Sequence, residues 1–175
     1  MSRRIVVPLE TRPETGPRKV LVPLDGSTLA ESVLDSSLLV GEIELFLLRV
    51  VPFQVTPRWD YVPESDPQTA KAFADTEGEA EAYLAEVSER VLAWAPRVHR
   101  HVVVDGHADK AIRDYAAEQG IDLIAMATHG RGGFKRAILG SVAEKVLETS
   151  SVPVLLLPAR AAKRAEAGFA EAAAM

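Results

Sequence analysis

Ile121-Asp122-Leu123-Ile124-Ala125-Met126-Ala127-Thr128-His129-Gly130-Arg131-Gly132-Gly133, followed by Leu139-Gly140-Ser141-Val142-Ala143-Glu144-Lys145-Val146, is the stretch whose reading decides the fold. A short apolar run gives way to a glycine-rich loop. The chain then enters a segment with helical spacing, opened by Ser141 with Glu144 three residues on, the pattern of a capping box. This is a buried strand feeding a helix through a loop whose glycines let the backbone approach a ligand closely. Helix N-termini attract anions, because their first N–H groups are unpaired and the helix dipole is positive there. Two backbone anion sites follow, at Gly130 and at Gly140-Ser141-Val142, and a triphosphate chain has the extent to use both.

Outward from that segment, short β-branched runs alternate with helical stretches, the signature of a parallel sheet covered on both faces. Lys19 to Leu24 reads as a buried strand ending at Asp25-Gly26-Ser27. A helix follows, opened by Thr28 with Glu31 as its box partner. Ile43 to Val51 is the second strand, and residues 52–67, with four prolines, are a long irregular connection. A helix is expected over about 69–95, burying Phe73, Ala80, Leu84, Val87 and Val91. His101 to Gly106 reads as the third strand. Ala108 to Gln119 reads as a helix burying Ala111, Ile112, Tyr115 and Ala116, with Gly120 just past its end. Ile121 to Ala127 is the fourth strand, the helix from Ser141 runs to about Ser150, and Val152 to Pro158 is the closing edge strand. The expected architecture is α/β: a doubly wound, mostly parallel five-stranded sheet, strand order 3-2-1-4-5, Rossmann-like. It occupies 18–158, between an N-terminal extension (1–17) and an Ala-rich tail (159–175). Within the extension, Ile5 to Leu9 is a fainter copy of Val20 to Leu24, readable as a tail or as an extra edge strand.

The chain has 175 residues, 47% apolar and 26% charged, with no cysteine and a net charge of −5. That length buries enough surface for a core without disulfides or a structural metal. Zero Cys excludes thiol catalysis, Cys-ligated zinc and iron–sulfur clusters. The acidity argues against general binding to nucleic acid or anionic membranes. No run approaches a membrane span, and the N-terminal run is too short for a secretory signal; a soluble cytoplasmic protein is the expectation. The charge is unevenly placed. Asp60 to Arg90 holds nine acids against Lys71 and Arg90, a local −7, whereas Thr128 to Ser141 holds Arg131, Lys135 and Arg136 with no acid.

Other phosphate signatures fail. No Gly-x4-Gly-Lys-Ser/Thr occurs, which excludes the P-loop class. The dinucleotide fingerprint would need Gly at 135, which is Lys. A receiver domain would want paired acids after the first strand, and only Asp25 is there. What does match is Ala127-x2-Gly130-x9-Gly140-Ser141. With Val20 to Ser27 and Val152 to Leu157, this resembles the universal stress protein family, specifically its ATP-binding branch, marked by Gly-x2-Gly-x9-Gly-Ser/Thr. The resemblance covers roughly 18–158. Ala127 stands for the motif's first glycine, and position 49 is Arg where the family often has His.

By that resemblance the chain is a homodimeric, nucleotide-responsive regulator of the stress response, joined through the closing strand Val152–Leu157. It would bind ATP, with Mg²⁺ brought by the phosphates. Asp25 would contact the adenosine part and Pro23 shape the turn beside it. Val50 would offer backbone to the adenine. Ala127 and Gly130 would line the ribose and phosphates, and Gly140, Ser141 and Val142 would hold the phosphate tail. Arg131 stands beside the loop as a further charge, and His129 as a residue that shapes it. No catalytic base is evident, so any hydrolysis is expected to be slow. The alternatives are an interaction module of the same fold that binds no nucleotide, or a slow ATPase. His99, His101 and His107 read as surface histidines, since no carboxylate cluster at ligand spacing accompanies them.

Overall fold

The computed structural model describes residues 18–35, 42–52, 67–128 and 140–158. Five strands form one sheet: β1 (Arg18–Pro23), β2 (Ile43–Val51), β3 (Val98–Val104), β4 (Leu123–Thr128) and β5 (Val154–Pro158). Their order is β3-β2-β1-β4-β5 and every pairing is parallel, as the alternation of apolar runs and helical stretches requires. The described helices are α1 (Thr28–Glu31), α2 (Pro67–Val91), α3 (Ala108–Glu118) and α4 (Ser141–Thr149).

Successive side chains of a strand point to opposite faces, so the continuous apolar runs of β1 and β2 supply two cores. Val20, Val22, Leu45 and Leu47 face Leu84, Val87 and Val91 of α2, together with Val33 and Leu34. Leu21, Phe46, Leu48, Ile124 and Met126 face Ile112, Tyr115 and Ala116 of α3 and Ala143 and Val146 of α4. The acids of α2 (Glu77, Glu79, Glu81, Glu86 and Glu89) lie on its exposed face. The side chain of Phe73 and the segments 1–17, 53–66 and 159–175 lie outside what the structure describes. Gly120 follows α3 in the left-handed region, with φ +61.

Several boundaries differ from the sequence reading, most of them for a local reason. α1 is capped by Ser27 rather than opened at Thr28: Ser27 has the extended backbone, and its hydroxyl accepts from the Ala30 N–H at 3.1 Å. Glu31 does not close a box; its carboxylate is engaged by α2. The Ser141–Glu144 box is likewise absent. Gly140 occupies the cap position with no side-chain cap, and Ser141 is the first helical residue. β3 begins at Val98, three residues early, because it follows the register of β2 from Leu45. Its exposed His99, Arg100 and His101 hid it from a search for apolar runs. α2 ends at Val91, short of Pro96, which disfavours helical backbone in the residue before it. β4 and β5 each begin two residues later than their apolar runs.

Leu47→Ala should cost about 2–5 kcal/mol, since this side chain is 0% exposed between β2 and α2. Leu92→Ala, at 50% exposure, should stay within about 0.5 kcal/mol of wild type. Urea unfolding of the two variants checks both expectations.

Candidate functional site

Strand order reverses at β1, which lies between β2 and β4. In an open parallel sheet, the connections leaving such a pair of strands diverge to opposite faces and leave a crevice at their carboxyl ends. A cleft of about 310 Å³ opens there. Pro23, Leu24 and Asp25 line it from the end of β1, Ser27, Leu29 and Ala30 from α1, and Leu48 and Val50 from β2. Ala108 and Ile112 of α3, Met126 and Ala127 of β4, and Gly140 through Ala143 at the start of α4 complete it.

The cleft therefore gathers Pro23, Asp25, Val50, Ala127, Gly140, Ser141 and Val142, which are far apart in sequence. His129, Gly130 and Arg131 lie outside the described residues, as do Lys135 and Arg136. Sequence reading passed over Ile112 and Met126, because at helical and strand spacing they register only as core. It also passed over Leu29, Ala30 and Ala108, which carry no chemical mark.

Val50 owes its place to the unequal lengths of two strands. The β1 ladder ends with Pro23 opposite Leu48, whose C=O accepts the Leu24 N–H at 2.8 Å. The C=O of Val51 faces the other way, toward the Asp105 N–H at 3.1 Å. Alternation along the strand thus turns the N–H and C=O of Val50 toward the β1 side, where β1 has already turned away. One donor and one acceptor face the cleft side by side.

The turn after β1 is tightly organised. Oδ1 of Asp25 accepts from the Ser27 hydroxyl at 2.5 Å and from the Ser27 N–H at 2.9 Å. Gly26 between them has φ +82, which an L side chain rarely adopts. Burial by itself raises the Asp25 pKa. The Ser27 hydrogen bonds, with help from its own backbone N–H and the Arg49 charge, outweigh that and hold it below the ordinary aspartate value.

Across the cleft, α3 and α4 both begin at the rim with no side-chain cap on their first N–H groups. Lys145 of α4 lies 3.8 Å from Asp109 of α3, tying the two helix starts together. The cleft so combines an apolar floor, a hydrogen-bonding strand edge, a carboxylate and two positive helix ends. That set suits a ligand with an apolar planar part and an anionic tail.

The histidines of β3 lie elsewhere. His99 stacks on Phe46 with ring centroids 4.5 Å apart and meets Oε1 of Glu44 at 2.7 Å; His101 stacks on Tyr115 at 4.9 Å. Among the described residues no group of three or more His, Asp or Glu is placed to hold a metal, and no helix is long and apolar enough to cross a membrane.

A depressed Asp25 pKa stabilises the fold fully above the unfolded value, near pH 4, and that contribution is lost as pH falls through the lower folded value. Ser27→Ala should raise the Asp25 midpoint toward the ordinary value and shrink this acid-side dependence. It should also cost about 1 kcal/mol through the lost cap. Carboxyl-detected NMR titration and urea unfolding at pH 3 and pH 7 check both effects.

Comparison with known proteins places the chain in a wider group. The model of the universal stress protein family matches residues 16–158. Universal stress protein MJ0531 of Methanocaldococcus jannaschii is 28% identical over 141 residues, covering 80% of this chain and 81% of that protein. Universal stress protein Rv2005c of Mycobacterium tuberculosis is 38% identical over 89 residues, 48% of this chain but only 28% of its own length. The solved structure of MJ0577, also from Methanocaldococcus jannaschii, superposes with a TM-score of 0.63 at 25% identity, covering 82% of this chain and 97% of that one.

Proposed function

This chain belongs to the universal stress protein family, and on that premise we propose that its cleft binds an adenine nucleotide, ATP foremost, as the input of a regulatory module. The observation that carries the reading is the Val50 edge at the β1/β4 crevice, beyond the end of the β1 ladder, set beside two helix N-termini with no side-chain cap. A backbone C=O next to an N–H complements the N6 donor and N1 acceptor of adenine, whereas guanine presents the opposite order. Leu48, Ile112 and Met126 supply apolar surface for a planar base.

Gly140 leaves the first N–H groups of α4 uncommitted, and Ser141, no longer spent on a cap, adds a hydroxyl; together they suit phosphate oxygens. The residues present thus fit the nucleotide that the family motif implies. Mg²⁺ retains several waters and binds readily through substrate phosphates, so it would enter with them. Asp25, which lines the cleft, would meet the nucleoside part. His129, Gly130 and Arg131 belong to the same motif and would complete the loop around the phosphates. Homodimerisation through the closing strand, with Val154, Leu155 and Leu156 half-buried along it, and a cytoplasmic location belong to this proposal too.

Calorimetry on nucleotide-stripped protein is expected to give micromolar-range ATP binding. Ser141→Glu should weaken it at least about 30-fold by setting a carboxylate against the phosphates, roughly 2 kcal/mol. Ala127→Gly, which restores the motif's first glycine, should tighten it about threefold. Competition with cyclic AMP, ADP and GTP ranks the phosphate and base preferences. Turnover should stay well below about 1 per second, the lower range of dedicated enzymes. Wild-type protein that binds no adenine nucleotide at millimolar concentration refutes the reading.

A further inference from the structure

The segment α1 forms one wall of the cleft through Leu29 and Ala30, yet none of its four helical residues is buried. Ala30 packs partly against the core, and Val33 and Leu34 just after the helix are buried in it, so apolar packing anchors the far side of that wall and leaves the helix itself to polar contacts. Polar contacts reach it at both ends. At its start, Ser27 caps the helix and is tied to Asp25. At its end, the Glu31 carboxylate accepts from the Tyr83 hydroxyl at 2.9 Å and from Arg90 at 2.6 Å, both on α2. The Glu31 side chain is 21% exposed and that of Arg90 53%, so the Tyr83 contact is the better shielded of the two and the Arg90 pair is partly screened by solvent.

The same cluster reaches the Asp25 turn from behind. Nη1 of Arg49 on β2 donates to the Leu24 C=O at 3.3 Å, and its guanidinium lies 5.7 Å from the centre of the Tyr83 ring. A Cβ on Gly26 would stand 3.4 Å from that guanidinium, so Arg49 backs the turn directly. Burial first, then the hydrogen bond to Glu31 and the Glu31 charge, push the Tyr83 hydroxyl well above the usual phenol range. Tyr83 accordingly remains a donor across the working pH range.

We infer that Arg49, Tyr83, Glu31 and Arg90 form a positioning ladder that holds the Asp25 turn and α1 against α2, so that occupation of the cleft and the seating of α2 are coupled. The regulatory half of this inference rests on the nucleotide reading above. None of the four residues lines the cleft; each acts through the wall it positions. A ligand pressing on Leu29, Ala30 or Asp25 strengthens or loosens contacts to the edge of α2 that carries Tyr83 and Arg90, beside its buried face. Coupling is reciprocal, so a disturbance of α2 alters affinity in the cleft by the same factor.

The test uses the full chain with Tyr83→Phe, Glu31→Gln, the double variant, Arg90→Met and Arg90→Lys. Amide exchange without nucleotide should quicken about tenfold over residues 28–35 in Tyr83→Phe and Glu31→Gln, with 43–48 of β2 unchanged. ATP affinity should fall about three- to tenfold in each single variant. The double variant should be no worse than Glu31→Gln, the non-additivity of one shared network. Arg90→Lys should retain near wild-type affinity and Arg90→Met should not. Unchanged exchange over 28–35, exchange raised equally across the sheet, or additive or absent affinity effects would overturn the ladder. If wild-type protein binds no adenine nucleotide, the functional reading falls separately. The exchange pattern then decides alone: local quickening upholds the positioning role, and its absence ends it.

Discussion

The site depends on one inequality of length: β1 stops at Pro23 while β2 continues past it to Val51. A parallel ladder satisfies the backbone of a strand only as far as its neighbour extends. Where β1 turns away at Asp25-Gly26, β2 is left with a polar edge at Val50 that no strand among the described residues occupies. The same turn starts α1 on one face, and the reversal of strand order sends the connection from β4 to the other. Crevice, free edge and helix termini are consequences of that single geometry.

Electrostatics within the fold follow a division that net charge conceals. The acids of α2 are solvated on its outer face, and the cleft lies at the carboxyl end of the sheet. There positive potential comes from helix N-termini rather than from a broad basic surface. An acidic chain and an anion-binding cleft are therefore compatible, because backbone N–H groups do not enter a count of side-chain charges. Among the described residues the one carboxylate in the cleft, Asp25, has Oδ1 occupied by Ser27 and is backed by the Arg49 charge.

Much of the fold was legible because its signals are local and repeated. Continuous apolar strands with helical stretches between them admit few arrangements, and the buried set of α3 (Ala111, Ile112, Tyr115 and Ala116) is fixed by a 3.6-residue period. Helix starts were less legible. Ser27-Thr28 and Gly140-Ser141 each offer two adjacent starting points, and backbone dihedrals, not residue type, choose between them. β3 was read short because an edge strand carries polar residues, and its true start is set by pairing with β2. The ladder of Arg49, Tyr83, Glu31 and Arg90 had no sequence signal, since its members lie up to 59 positions apart with no common spacing.

By itself the sequence determined the alternation of strands and helices, the acidic face of α2, and the glycine and serine spacing that marks the family. Those properties reside in neighbours along the chain, where propensity and periodicity act. Only the tertiary structure decided which residues meet: the Val50 edge facing the Asp25 turn, Ile112 and Met126 flooring a cleft rather than only filling a core, and Glu31 clasped by α2 instead of closing a cap. These depend on strand order, on where each ladder ends and on the register of β2 against its neighbours, and distances of that kind are set by packing rather than by position in the chain.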